Sequence, residues 1–146
     1  MNIKALLLGG LLPMVMLGVS TFLMKLSMKE GASIPAYLVL VGATVCGVGL
    51  VGLMGSDGWR GGVRAAGSAV AMGFAWAIAA MSMAYSASAL KVPVAVIAPL
   101  TNANALVAVA LSAWLFKEWK ELDMVRVGIG AVLIVIGVTV VSSAKD

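Results

Sequence analysis

The sequence contains no histidine, and Cys46 is its only cysteine. No second thiol exists to close a disulfide within the chain. A Cys/His metal centre and any histidine base or nucleophile are excluded for the same reason. Charge is nearly as scarce: 11% of the residues are Asp, Glu, Lys or Arg, where a soluble domain carries roughly a quarter. No Asp or Glu falls within the core of any long apolar run. With neither histidine nor acid there, no acid–base pair is available, and an enzyme acting on lipid is set aside. The formal net charge is +4, yet the basic residues stand singly in connections between apolar runs, where a membrane protein keeps them. They form no patch for a nucleic acid. No metal and no cofactor is expected.

What the chain does have is apolar length. Of 146 residues, 62% are hydrophobic, and the mean hydropathy is +1.11. Such a chain cannot cover its surface with water-compatible groups, so lipid is its solvent. A spanning helix needs about 20 apolar residues. The pattern predicts five, at Ala5–Met24, Pro35–Gly55, Ala65–Ala87, Val94–Phe116 and Met124–Val141. The expected fold is an all-α membrane protein: one five-helix, up-and-down transmembrane domain filling residues 1–146. The N-terminus, Lys4 followed by an apolar run, mimics a secretory signal, but no small-x-small cleavage site precedes a soluble domain. It reads as a first helix that stays. The connection Ser56–Gly62 is dense in glycine and charge, Pro93 suits a helix start, and the charged strip Lys117–Asp123 separates the last two spans.

An odd number of spans puts the termini on opposite sides. Lys4, Arg60, Arg64, Lys117, Lys120 and Arg126 then face the N-terminal side, and Lys25, Lys29, Lys91 and Lys145 the other. That difference favours a cytoplasmic N-terminus without enforcing it, and it is compatible with insertion both ways round. Helices in lipid associate through small residues that let backbones approach. Span two carries Gly42, Gly47, Gly49, Gly52 and Gly55, span four an alanine series from Ala103 to Ala113, and span five Gly128, Gly130 and Gly137. Gly130 and Gly137 share one face with Ile134 between them. These residues serve either packing within the chain or, in span five, a dimer seam.

The second half carries a longer pattern. It reads Ala84-Tyr85-Ser86-Ala87-Ser88-Ala89-Leu90-Lys91-Val92-Pro93, then Val96-Ile97-Ala98-Pro99-Leu100-Thr101, then Trp114-Leu115-Phe116-Lys117-Glu118, then Ile129-Gly130-Ala131-Val132-Leu133-Ile134-Val135-Ile136-Gly137-Val138. This resembles the EamA-type domain of the drug/metabolite transporter superfamily. That domain has five helices, an alanine-rich third, a Pro-Leu pair early in the fourth, a glutamate closing the fourth and a Gly-Leu-Ile-Gly fifth. The first helix, ending Phe22-Leu23-Met24-Lys25, fits as well. Two features depart from the pattern. Lys117 stands where a glycine usually precedes the closing glutamate, and span two lacks the common arginine, so no role for that arginine carries over. Most relatives join two such domains in inverted tandem, whereas this chain has one and resembles the short five-helix members. The resemblance implies that a single copy rebuilds the inverted-repeat geometry by pairing with an oppositely oriented copy, with substrate near the midplane. Gly130 to Gly137 also resembles the dimerising last helix of the small multidrug resistance branch. The first-helix glutamate that serves proton exchange in that branch has no counterpart here, which argues against that mechanism.

Intramembrane polar groups are costly and often functional. Span four offers Thr101, Asn102 and Asn104. Their amides and hydroxyl either hold a polar substrate group or make interhelical hydrogen bonds worth about 1 kcal/mol. Asn102 and Asn104 are two apart and point in different directions. Pro99 removes a backbone donor and is expected to kink the helix. Span three offers Trp76, Ser82, Tyr85 and Ser86. Trp76 lies deep enough to stack on a substrate, and Tyr85 lies where belt aromatics sit. The hydroxyls of Ser20 and Thr21 either contribute or bond their own helix. Lys25 is read as a snorkelling residue, and Glu118 as part of a surface ion pair with Lys117 and Lys120.

The expected function is a half-size transporter moving a small metabolite or amphipathic compound by alternating access. It would act as a dimer, antiparallel if homomeric, or as a hetero-dimer with a similar chain, in a bacterial inner membrane. The candidate substrate residues are Trp76, Tyr85, Thr101, Asn102 and Asn104. The alternative is a non-transporting membrane subunit that binds another membrane protein through its glycine-rich faces.

Overall fold

The computed structural model describes residues 3–56, 58, 60–117, 120 and 123–143. Every long regular element among them is an α-helix, and none of them forms a strand. Five of their helical stretches are long and apolar enough to cross a membrane: Leu7–Lys29, Ile34–Met54, Val63–Ser88, Val94–Phe116 and Met124–Ser142. At 1.5 Å per residue, the 21 residues of Ile34–Met54 reach about 32 Å, which matches a hydrocarbon core of about 30 Å. The chain divides into two compact units, Met1–Lys91 and Val92–Asp146.

The first unit begins with α1 (Ile3–Leu6), passes through a π-helical stretch (Leu7–Leu11) and continues as α2 (Leu12–Lys29). The Leu12 N–H reaches back five residues to the Leu7 carbonyl. Pro13 follows directly. It has no N–H to give Gly9, and its ring crowds that carbonyl, so a widened turn relieves both problems. The helix runs past Lys25 and stops only at Gly31. There φ is +92°, and the Ala32 N–H closes on the Ser27 carbonyl (3.1 Å) while the Gly31 N–H closes on Met28 (3.2 Å). This paired closure needs a left-handed residue, which glycine supplies without strain. Two residues later Ser33 caps α3 (Ile34–Met54), its hydroxyl accepting from the Ala36 N–H at 3.4 Å, with Pro35 in the first turn. The long α4 (Val63–Ser88) packs against both α2 and α3. Among the described residues of this unit, the buried ones are Met24 on α2 and Ala80 and Ala84 on α4, Ala84 with no exposed surface at all. The two alanines are four apart and form one smooth face.

The second unit holds α5 (Val94–Asn102), α6 (Asn104–Phe116) and α7 (Met124–Ser142). Together α5 and α6 make the fourth membrane-length stretch. Pro93, extended at ψ 138°, starts α5. Ile97 is buried, and α5 packs on α7. Lys117 ends α6 in the left-handed region, φ 58° and ψ 29°. Asp123 caps α7, its carboxylate accepting from the Val125 and Arg126 N–H groups at 3.1 and 3.3 Å and pairing with the Arg126 guanidinium at 3.0 Å. Glu118 and Lys145 lie outside the described residues, so the expected Glu118 ion pair does too.

Among the described glycines, those of α3 and α7 show no close approach to another helix. A Cβ added at Gly42, Gly47, Gly49, Gly52, Gly128, Gly130 or Gly137 meets nothing within 4 Å. The same holds for Gly18 of α2 and for Gly67 and Gly73 of α4.

Candidate functional site

The candidate residues fall on two units. Trp76 and Tyr85 lie on α4, and Thr101, Asn102 and Asn104 lie on or beside α5 and α6. At 100° per residue, Trp76 and Tyr85 are about half a turn out of phase, so they face opposite sides of α4 and line no common surface. Both are partly exposed, Trp76 at 43% and Tyr85 at 52%.

The fourth span is interrupted near its middle. Ala103 stands between α5 and α6, its N–H shared by the carbonyls of Pro99 (3.2 Å) and Leu100 (3.3 Å), and the Leu106 N–H returns to Ala103 rather than to Asn102 (3.0 Å). This is a tightened turn of the 3₁₀ kind. The sequence places the disturbance at Pro99, but Pro99 lies inside α5 and the interruption comes four residues later. Asn102 and Asn104 flank it and are exposed, and neither side chain bonds another described residue. Thr101 differs: its hydroxyl donates to the carbonyls of Ile97 and Ala98, both at 3.0 Å, which leaves it no donor for a ligand.

Thr101 shares its bonding with several other hydroxyls in the membrane-length helices. Ser20 and Thr21 both donate to Leu17, Thr44 to Leu40, Ser68 to Ala65, Ser88 to Ala84 and Thr139 to Val135, at 2.7–3.0 Å. A hydroxyl bonded to its own helix is satisfied without a partner. Ser82, Tyr85 and Ser86, like Ser27, Tyr37 and Ser142, make no such bond. None of the first three hydroxyls bonds another described residue, and all three line a groove of about 480 Å³ between the end of α4 and the start of α3, completed by Ile34, Pro35 and Met81. The spacing of 82, 85 and 86 puts them on one helix face, which is legible in the sequence. That their neighbours' hydroxyls are spent and theirs are not depends on rotamers, which the sequence does not show.

A second groove, of about 470 Å³, separates α6 from α7. Gly130 and Ile134 line it opposite Ala105, Val109 and Ala113, whereas Gly137 lies outside its lining and is exposed. Its walls are almost wholly apolar and offer a bound molecule only shape. No group of His, Cys, Asp and Glu among the described residues is arranged to hold a metal ion. The described acids, Glu30 and Asp123, sit in the connections that close α2 and open α7.

Comparison with protein-family models, with curated proteins and with solved structures gives no match to this chain.

Proposed function

We propose that the chain is a half-size transporter of the drug/metabolite type, a single EamA-like up-and-down repeat that works as an antiparallel homodimer and moves a small polar or amphipathic compound by alternating access. The observation that carries this reading is the interrupted fourth span. Ala103 keeps right-handed helical dihedrals, φ −63° and ψ −9°, so the span is tightened there and not unwound, and a 3₁₀ turn in the middle of a helix often marks a functional hinge. Here two exposed side-chain amides, Asn102 and Asn104, bracket the interruption at Ala103. Each amide both donates and accepts, which suits a polar substrate group. The open glycines of α7 supply a surface for the second copy.

The open glycines of α3 favour a second reading, a non-transporting subunit or hetero-dimeric half that packs Gly42, Gly49 and Gly52 against another membrane protein.

Sidedness labelling separates the two. With Cys46→Ala removing the native thiol and Ser143→Cys marking the end of α7, an impermeant thiol reagent is applied to intact and then to permeabilised cells. The antiparallel homodimer requires about half of the protein to label from outside. Labelling from one side alone eliminates it and leaves the hetero-pair or the accessory subunit.

A further inference from the structure

We infer that the groove between α3 and α4 is a binding site for an uncharged lipid of the headgroup layer, one that carries free hydroxyls on its head and an acyl chain behind it. This site belongs to the first unit alone and does not rest on the transport reading. Three observations carry it. First, Ser82, Tyr85 and Ser86 present three hydroxyls on one wall, each able to donate and accept and none spent on its own helix. Second, the rest of the lining is Ile34, Pro35 and Met81, which gives an apolar bed beside the polar row. Third, none of the six lining residues is charged, and the first turn of α3 adds few donors: Pro35 has no N–H, and the Ala36 N–H is already taken by Ser33. A phosphate or carboxylate finds no counter-charge in the lining. A hydroxylated neutral head finds both donors and acceptors.

Depth selects the source. The 26 residues of α4 reach about 39 Å, about 9 Å more than the hydrocarbon core. A groove at the end of α4 and the first turn of α3 therefore lies at the boundary between acyl chains and headgroups, where a lipid offers its head and the top of its chain together.

The test uses the whole chain in phosphatidylcholine vesicles, with a monoacylglycerol carrying a photoreactive diazirine high on its chain. Adducts are mapped by mass spectrometry. The expected result is labelling at Ile34–Pro35 and Met81–Ser86 that falls about fivefold in the Ser82→Ala/Tyr85→Phe/Ser86→Ala variant, as hydrogen bonds to the head are lost. Because these side chains are partly exposed, helix content by circular dichroism should not change. Met81→Trp, which fills the groove and keeps every hydroxyl, should reduce labelling as well. Undiminished labelling in both variants would overturn the proposal. So would equal labelling by a phosphatidylglycerol probe, which would remove the preference for a neutral head, or displacement by aqueous glycerol alone, which would make the ligand a soluble polyol.

Discussion

Lys117 shows how much one backbone angle can carry. It closes α6 at φ 58°, in a region where a side chain bearing a Cβ costs about 1–2 kcal/mol and glycine sits freely. Lys117→Gly should therefore stabilise the protein by about 1 kcal/mol, the strain relieved less the extra freedom of the unfolded chain. Unfolding from mild detergent by added dodecyl sulfate, followed by circular dichroism, measures this. Equal or lower stability would mean that Lys117 gains more from its side chain than its backbone loses. Lys91, at φ 55°, carries the same kind of strain in the connection before α5.

The helices themselves are largely written in the sequence, because apolar length is what a membrane selects. The expected fourth span begins at Val94 and ends at Phe116, as α5 and α6 together do, and the expected fifth begins at Met124, as α7 does. The expected first span is too short. Lys25 marks the limit of the apolar run, whereas the helix obeys hydrogen bonding and continues to the left-handed stop at Gly31. The interruption at Ala103 is not legible, since no residue there is a helix breaker. The proline that does announce itself removes only the bond to the Ala95 carbonyl. Pro99→Ala should restore that bond and stabilise α5 by about 1–3 kcal/mol. Amide exchange should then slow around residues 97–101 and stay unchanged at Asn104–Leu106. Slower exchange at Asn104–Leu106 as well would show that the proline, and not the turn at Ala103, breaks the span. The candidate site is legible in its parts, because polar residues in apolar helices stand out. It is not legible in its grouping: Tyr85 joins Ser82 and Ser86, while Trp76 faces away and Thr101 is bonded to its own helix.

For the molecule as a whole, the open question is what covers the glycine faces. Glycine in a helix interior costs about 0.5–1 kcal/mol relative to alanine, and a Cβ at Gly130 or Gly137 meets nothing within 4 Å. Within one chain these glycines are thus a cost without a return, and replacing them should leave the single chain folded or slightly firmer. In a dimer seam the same positions let two backbones approach, and added atoms push them apart. The two roles predict opposite signs from the same variants. Gly130→Ala and Gly137→Leu should hold or raise helix content and resistance to unfolding, while weakening self-association by about tenfold, roughly 1.4 kcal/mol. Energy transfer between donor- and acceptor-labelled copies, measured across a range of protein-to-lipid ratios, reads the association directly. If both variants associate as the parent does, the α7 seam is wrong and the α3 glycines become the surface to test. If instead both lose helix content, the glycines serve the fold of the single chain, and the open space around them is not what it implies.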